Sequence, residues 1–237
     1  MMSEFTIIVP VYNEELNLER LEKALVYYLK IAKKETLILF VNDGSTDTSQ
    51  QLIEGICLRN KNFNYINFKE NKGLSAALKA GFDAVETPLL GYIDSDLQTS
   101  PNDFNILLDQ IDNYDLVTGI RIHRKDSFIK HRSSKASNSI RNTFTGDGMK
   151  DTCCPLKVIK TECAKKIPMF KGLHRFLPAM ILLQKGTVLQ LPIQHFPRIA
   201  GESKFGIRNR LLGPITDCFA YLWMKKKYIN YEVIKKG

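Results

Sequence analysis

The chain is predicted to fold as α/β: an open, mostly parallel central sheet with helices on both faces, plus a C-terminal amphipathic helix. Three observations predict it. Short runs of β-formers alternate with segments of helical period four times before residue 120. The connections between them are short. The first run, Phe5 to Val11, is almost unbroken in hydrophobicity, as a strand covered on both faces requires.

The elements follow in order. Phe5-Thr-Ile-Ile-Val-Pro-Val11 reads as the first strand, and Leu18, Leu21, Leu25 and Tyr28 then recur at helical spacing. Residues 37–41 form a second strand and 46–59 a second helix; 63–68 and 74–85 make a third pair; 89–93 is the fourth strand. Ser100 caps a helix whose first position is Pro101, with Asp103 in its first turn. Leu116-Val117-Thr118 is a fifth strand, and 121–149 is a basic loop ending in a short helix. Residues 156–159 and 187–191 read as further strands around a helix over 173–184. Ile207, Leu211, Ile215, Cys218 and Leu222 form a helical seam widened by Leu212, Phe219 and Trp223, and Lys225-Lys226-Lys227 closes it. The divisions expected are a domain over 1–205, with halves 1–120 and 121–205, and a basic helix and tail over 206–237.

Composition narrows the function. A chain of 237 residues buries roughly 70% of its unfolded surface and needs no disulfide or zinc staple. Five cysteines, two of them adjacent, fit neither a disulfide framework nor CxxC metal spacing, so reduced thiols are expected. No apolar run approaches the roughly 20 residues that span a bilayer, and Met1 to Glu4 does not read as a signal peptide. The net charge of +9 is uneven: 121–141 carries seven Lys or Arg against one acid, and 198–237 carries nine against three. An anionic partner is implied, either phosphates, a lipid surface or nucleic acid, although solvated lysines that aid solubility have the same composition. No helix-turn-helix or aromatic stripe supports nucleic acid.

Ligands of such a sheet sit at the carboxyl ends of its strands, so the loops near Tyr12, Asn42, Asn71 and Asp94 carry the argument. Asp94-Ser-Asp96 follows the fourth strand, and two carboxylates so spaced suit a hard cation with oxygen ligands; Gln98 adds a neutral oxygen. Such a cation, Mg2+ or Mn2+, would neutralise a departing diphosphate. The same aspartates also suit a plain turn. Tyr12-Asn13-Glu14 and Asn42-Asp43-Gly44-Ser45 end the first two strands, where Asp43 would accept from a nucleoside or simply cap a helix. Lys72 is placed to meet phosphate, or only solvent. His195, Arg198, Ser203 and Lys204 suit a loop folding over a diphosphate, with His195 equally a packed surface residue. Neither GxGxxG nor GxxxxGK[ST] occurs, which excludes a dinucleotide fingerprint and a P-loop.

Together the pieces IVPVYNEELNL, FVNDGSTD, NKGLSAALKAGF, YIDSDLQTSP, LVTGIR, DTCCPLKV, HRFLPAMI and RIAGESKFG fall in one order over residues 5 to about 210. They resemble family 2 glycosyltransferases of the GT-A fold, in the dolichol-phosphate mannosyltransferase-like branch that charges polyprenyl phosphates. The resemblance implies that Asp94, Asp96 and Gln98 form the metal and diphosphate site, and that Pro10, Tyr12, Glu14 and Asp43 form the nucleoside pocket. It implies that Arg121, Arg198, Ser203 and Lys204 receive the phosphates of donor and acceptor. Asn42 departs from the usual aspartate. The expected activity is inverting transfer from a UDP- or GDP-sugar to undecaprenyl or dolichyl phosphate, peripherally at the cytoplasmic face of the cell membrane. One rival is a family 2 enzyme with a hydroxyl acceptor and Asp151 as base. Another is a non-enzymatic basic module that binds membrane or nucleic acid.

Overall fold

The computed structural model describes residues 3–122, 141–199, 207–230 and 234–235, with backbone only for 207–215. Ser203, Lys204 and most of the basic stretch after Arg121 lie outside them. The chain alternates β1 (Phe5–Val11), α1 (Glu15–Ile31), β2 (Thr36–Asn42), α2 (Ser49–Arg59), β3 (Phe63–Asn67), α3 (Leu74–Ala84) and β4 (Leu89–Tyr92). Then come α4 (Phe104–Leu108), β5 (Leu116–Ile122), a helical turn at 141–145, β6 (Lys157–Lys160), α5 (Thr161–Lys165), α6 (Leu177–Leu183), β7 (Val188–Gln194) and α7 (Ile207–Lys227).

The sheet has seven strands in the order β3-β2-β1-β4-β6-β5-β7. All run parallel except β6, which is antiparallel to both neighbours. The unbroken apolar β1 divides its side chains by strand periodicity. Phe5, Ile7, Val9 and Val11 join a core beneath α1, α2 and α4, while Ile8 joins the opposite core beneath α3, α6 and α7. Helices therefore cover both faces, as the pattern predicts.

The chain leaves β1 for β2 on one side and later returns to place β4 on the other. A crevice opens at such a reversal. Pro10 marks it. Ile8 accepts from Ile93 N–H at 3.2 Å on the β4 side, and Pro10, two residues on, faces the same way after β4 has ended at Tyr92. A residue with no N–H to donate fits where the ladder has stopped. Because β6 alone is reversed, the turn before it arrives at the same edge as the exits of β1, β2, β4, β5 and β7.

Local physics shifts three expected elements. The second helix begins at Ser49 rather than 46, because the preceding residues hold a neighbouring loop: Thr46 N–H donates to Asn13 Oδ1 at 2.7 Å. The helix expected over 173–184 is a 3-10 turn, Leu173–Phe176, followed by α6, whose first turn contains Pro178. The third change is on α7, where Cys218, Tyr221 and Met224 are buried, while Phe219 and Trp223 stay 60% and 68% exposed. The seam is thus rotated from the expected one, and Phe219 and Trp223 do not widen it. The side chains of Ile207, Leu211, Leu212 and Ile215 lie outside the described residues.

Candidate nucleotide-sugar and metal site

Beyond β4 the chain turns sharply. Asp96 Oδ1 accepts from Gln98 N–H at 3.1 Å, and Leu97 between them holds φ +55°, a left-handed conformation that costs a non-glycine residue about 1–2 kcal/mol. Leu97 packs against the core below and offsets that strain. The turn sets Asp94 and Asp96 side by side at the crevice. Tyr92 Oη–H donates to Asp94 Oδ1 at 2.7 Å, and Arg198 Nη2 donates to Asp96 Oδ2 at 2.6 Å. The Gln98 backbone carbonyl accepts from Phe196 N–H at 2.9 Å. That bond carries the segment after β7, and Arg198 with it, over the aspartates.

Burial, then the charge of Asp96, pushes the Asp94 carboxyl up to about 6; the Tyr92 hydroxyl, Arg121 and Lys157 oppose that rise. Two crowded carboxylates of this kind are relieved by a cation. Asp94 keeps Oδ2 for a ligand, and Asp96 keeps lone pairs beside Arg198, so the donor set fits a hard divalent ion. Among the described residues no group of three or more His, Cys, Asp or Glu side chains stands together, so further oxygens would come from diphosphate and water.

Arg121, at the end of β5, grips Asp151 in the turn before β6. Nε donates to Oδ2 at 2.8 Å, Nη2 to Oδ1 at 2.9 Å and the backbone N–H to Oδ2 at 3.2 Å. Asp151 is buried and Arg121 largely so, and an unpaired charge there would be costly. Asp151, the base of the hydroxyl-acceptor reading, is thus held by a guanidinium. Arg121 keeps Nη1 and the outer hydrogen of Nη2 for an anion.

On the nucleoside side the loops lock one another. Asp43 is 3% exposed and accepts from Asn71 Nδ2 at 2.9 Å, Lys72 N–H at 2.7 Å and Gly73 N–H at 2.8 Å. Burial raises its carboxyl, and the two backbone donors pull it back. Gly44, at φ +66°, lies against this loop; a Cβ there would come within 2.4 Å of the Glu70 carbonyl carbon. Asn42, fully buried, bonds Gln50, Asn67 and Ser45, so this departure from the usual aspartate serves the loop's own framework. Asn13, at φ +51°, and Glu14 tie the β1 exit to the same loop: their N–H groups donate to Ser45 and Ser49 hydroxyls, each at 2.9 Å. Tyr12 is half-buried beside them. Lys72 stands on the same loop, its exposed ammonium on exposed Glu70 at 2.6 Å.

A match to the Glycosyl transferase family 2 profile covers residues 6–167, from β1 through α5. The chain belongs to this family. It is 29% identical over 204 residues to an undecaprenyl-phosphate 4-deoxy-4-formamido-L-arabinose transferase of Edwardsiella ictaluri, covering 85% of this chain and 63% of that protein. It is 29% identical over 238 residues to a dodecaprenyl-phosphate galacturonate synthase of Rhizobium johnstonii, covering 94% of this chain and 68% of that one. The chain thus spans less than two thirds of the first relative's length. In fold it is similar to the glucosyl-3-phosphoglycerate synthase of Mycobacterium tuberculosis in complex with Mn2+, UDP-glucose and phosphoglyceric acid, with a TM-score of 0.72, 13% identity, and 98% and 82% of the two chains covered.

Two residues near the aspartates escape sequence reasoning: Tyr92 and Lys157. The sole signal is a lysine inside the apolar run Leu156-Lys-Val-Ile159.

Proposed function

We propose that this family 2 protein is an inverting glycosyltransferase that moves a sugar from a UDP- or GDP-sugar to a polyprenyl phosphate, undecaprenyl or dolichyl. The observation that carries the reading is the Asp94–Asp96 pair at the β1–β4 crevice with Arg198 laid over it. The names of the two relatives supply the acceptor class. The solved neighbour that holds Mn2+ with a UDP-sugar supports a divalent cation.

Asp94 and Asp96, with Gln98 beside them, would hold Mg2+ or Mn2+, which supplies charge neutralisation for the departing diphosphate. Arg198 already lies at this point and donates to the same phosphates, joined by Ser203 and Lys204. Pro10, Tyr12, Glu14 and Asp43 border the nucleoside, with Asp43 shaping the 71–73 loop. The free edge of Arg121 receives the acceptor phosphate. A phosphate oxygen is ionised at neutral pH, so attack on the anomeric carbon needs no strong base, and positioning dominates. The hydroxyl-acceptor rival needs a base, and the paired Asp151 is a poor one.

The polyprenyl-phosphate acceptor would bring the protein to the cytoplasmic face of the membrane, with peripheral contact; no helix among the described residues is long and apolar enough to cross a bilayer. We assign the contact to exposed Phe219 and Trp223 on α7, beside Lys225, Lys226 and Lys227. The test is an assay of the purified chain with UDP- and GDP-sugars, undecaprenyl phosphate and Mg2+ or Mn2+. A metal-dependent lipid-linked sugar is expected. Product from none of the donors overturns the assignment.

A further inference from the structure

Lys157 opens β6 opposite Tyr92 of β4 and Thr118 of β5, in the middle of the sheet. It is 1% exposed, one of the largest fully buried side chains in the molecule. A lysine is almost never so placed without a reason. Its ammonium donates to the carbonyls of Thr152, at 3.1 Å, and Cys154, and lies 5.9 Å from the centroid of the Tyr92 ring. Tyr92 is the residue whose hydroxyl holds Asp94, and Thr152 and Cys154 follow directly on the aspartate that grips Arg121. One buried cation thus touches the supports of both the Asp94 and the Arg121 sides of the crevice.

We propose that Lys157 is a positioning residue. Its ammonium ties the 151–154 turn to the sheet beside Tyr92, so that Asp151 turns the free edge of Arg121 toward Asp94. The catalytic half of this inference rests on the function proposed above; the structural half does not. Cys153 and Cys154 report it directly, since Cys153 is exposed on the turn and Cys154 is buried beneath it. While the turn is tied, a thiol reagent reaches Cys153 and spares Cys154.

The experiment compares the wild type with Lys157→Met and Lys157→Arg, following alkylation of each cysteine by mass spectrometry, thermal stability and transfer kinetics. Methionine fills similar volume, and replacing a buried charge by an apolar group is often neutral for folding. Lys157→Met is expected to keep its melting temperature, to expose Cys154 to alkylation at about ten times the native rate, and to lose about a hundredfold in kcat with donor KM little changed. Lys157→Arg is expected to restore protection and part of kcat. Native Cys154 protection in Lys157→Met overturns the proposal, as does a fall in stability without selective exposure. Wild type inactive with every donor would remove the proposed function, while the alkylation result would still decide the role of Lys157.

Discussion

Asp94 is held in a state that water would not choose. Its carboxyl is pushed up to about 6 from an ordinary 3.8, by burial first and then by Asp96. The folded chain therefore binds that proton more tightly than the unfolded chain does. In metal-free protein, stability from this group is full below about pH 4 and is lost as pH climbs through about 6. Asp94→Asn removes the charge, so in chelator at pH 7 it should gain up to about 3 kcal/mol, at roughly 2–4 °C of melting temperature per kcal/mol. The same change should lower metal-dependent transfer by about a hundredfold or more. A calorimetric pH series and an activity assay on one preparation check both, and a variant less stable than wild type at pH 7 contradicts the electrostatic account. Activity of the wild type should fall below about pH 6, and added cation should move that limb to lower pH, because metal and proton compete for one oxygen pair.

Among elements, the strands and their exits were the legible part. Apolar runs located β1, β2, β4 and β5, and the polar loops at the exits of β1, β2 and β4 located Tyr12, Asn42, Asp43 and Asp94. Interactions distant in sequence were not legible. The reversal of β6, the Arg121–Asp151 grip and the burial of Lys157 depend on which strands become neighbours, and a local pattern carries no record of that. Gly44 joins local and distant physics: its sequence marks a turn, but its φ of +66° and the 2.4 Å approach to Glu70 are what require it. Gly44→Ala should cost about 2–4 kcal/mol, from left-handed strain and a backbone clash together. It should also loosen the Asp43 clamp on residues 71–73, weakening nucleotide binding more than it slows turnover. Chemical denaturation with nucleotide titration measures both effects; a mild loss of stability with unchanged affinity would mean that the two loops are independent.

At the scale of the whole molecule, the packing of α7 decides which of its side chains face outward. Arg175 Nη1 donates to Asp217 at 3.0 Å, and the Phe176 and Tyr221 rings stack at 5.4 Å. Those contacts fix the helix on the domain and leave Phe219 and Trp223, four residues apart, on one exposed side. Phe144, in the turn ending the basic stretch, meets Phe219 edge-on at 5.5 Å. Two outward aromatics are unfavourable in water, and three lysines follow them, the composition of an interfacial helix over anionic lipid. Each aromatic buried at the interface contributes about 1.5–3 kcal/mol and each lysine about 1 kcal/mol. The double change Phe219→Ser with Trp223→Ser should therefore weaken binding to phosphatidylglycerol vesicles by at least about a hundredfold. Changing Lys225, Lys226 and Lys227 to Gln should chiefly remove the salt dependence, because screening acts on charge and not on apolar area. Neither variant touches the aspartate pair, so transfer to a short, detergent-soluble polyprenyl phosphate should persist while transfer to vesicle-borne acceptor falls. Vesicle sedimentation at two salt concentrations, run beside both assays, separates docking from chemistry, and equal loss with the two acceptors would place these aromatics in the fold instead of at the membrane.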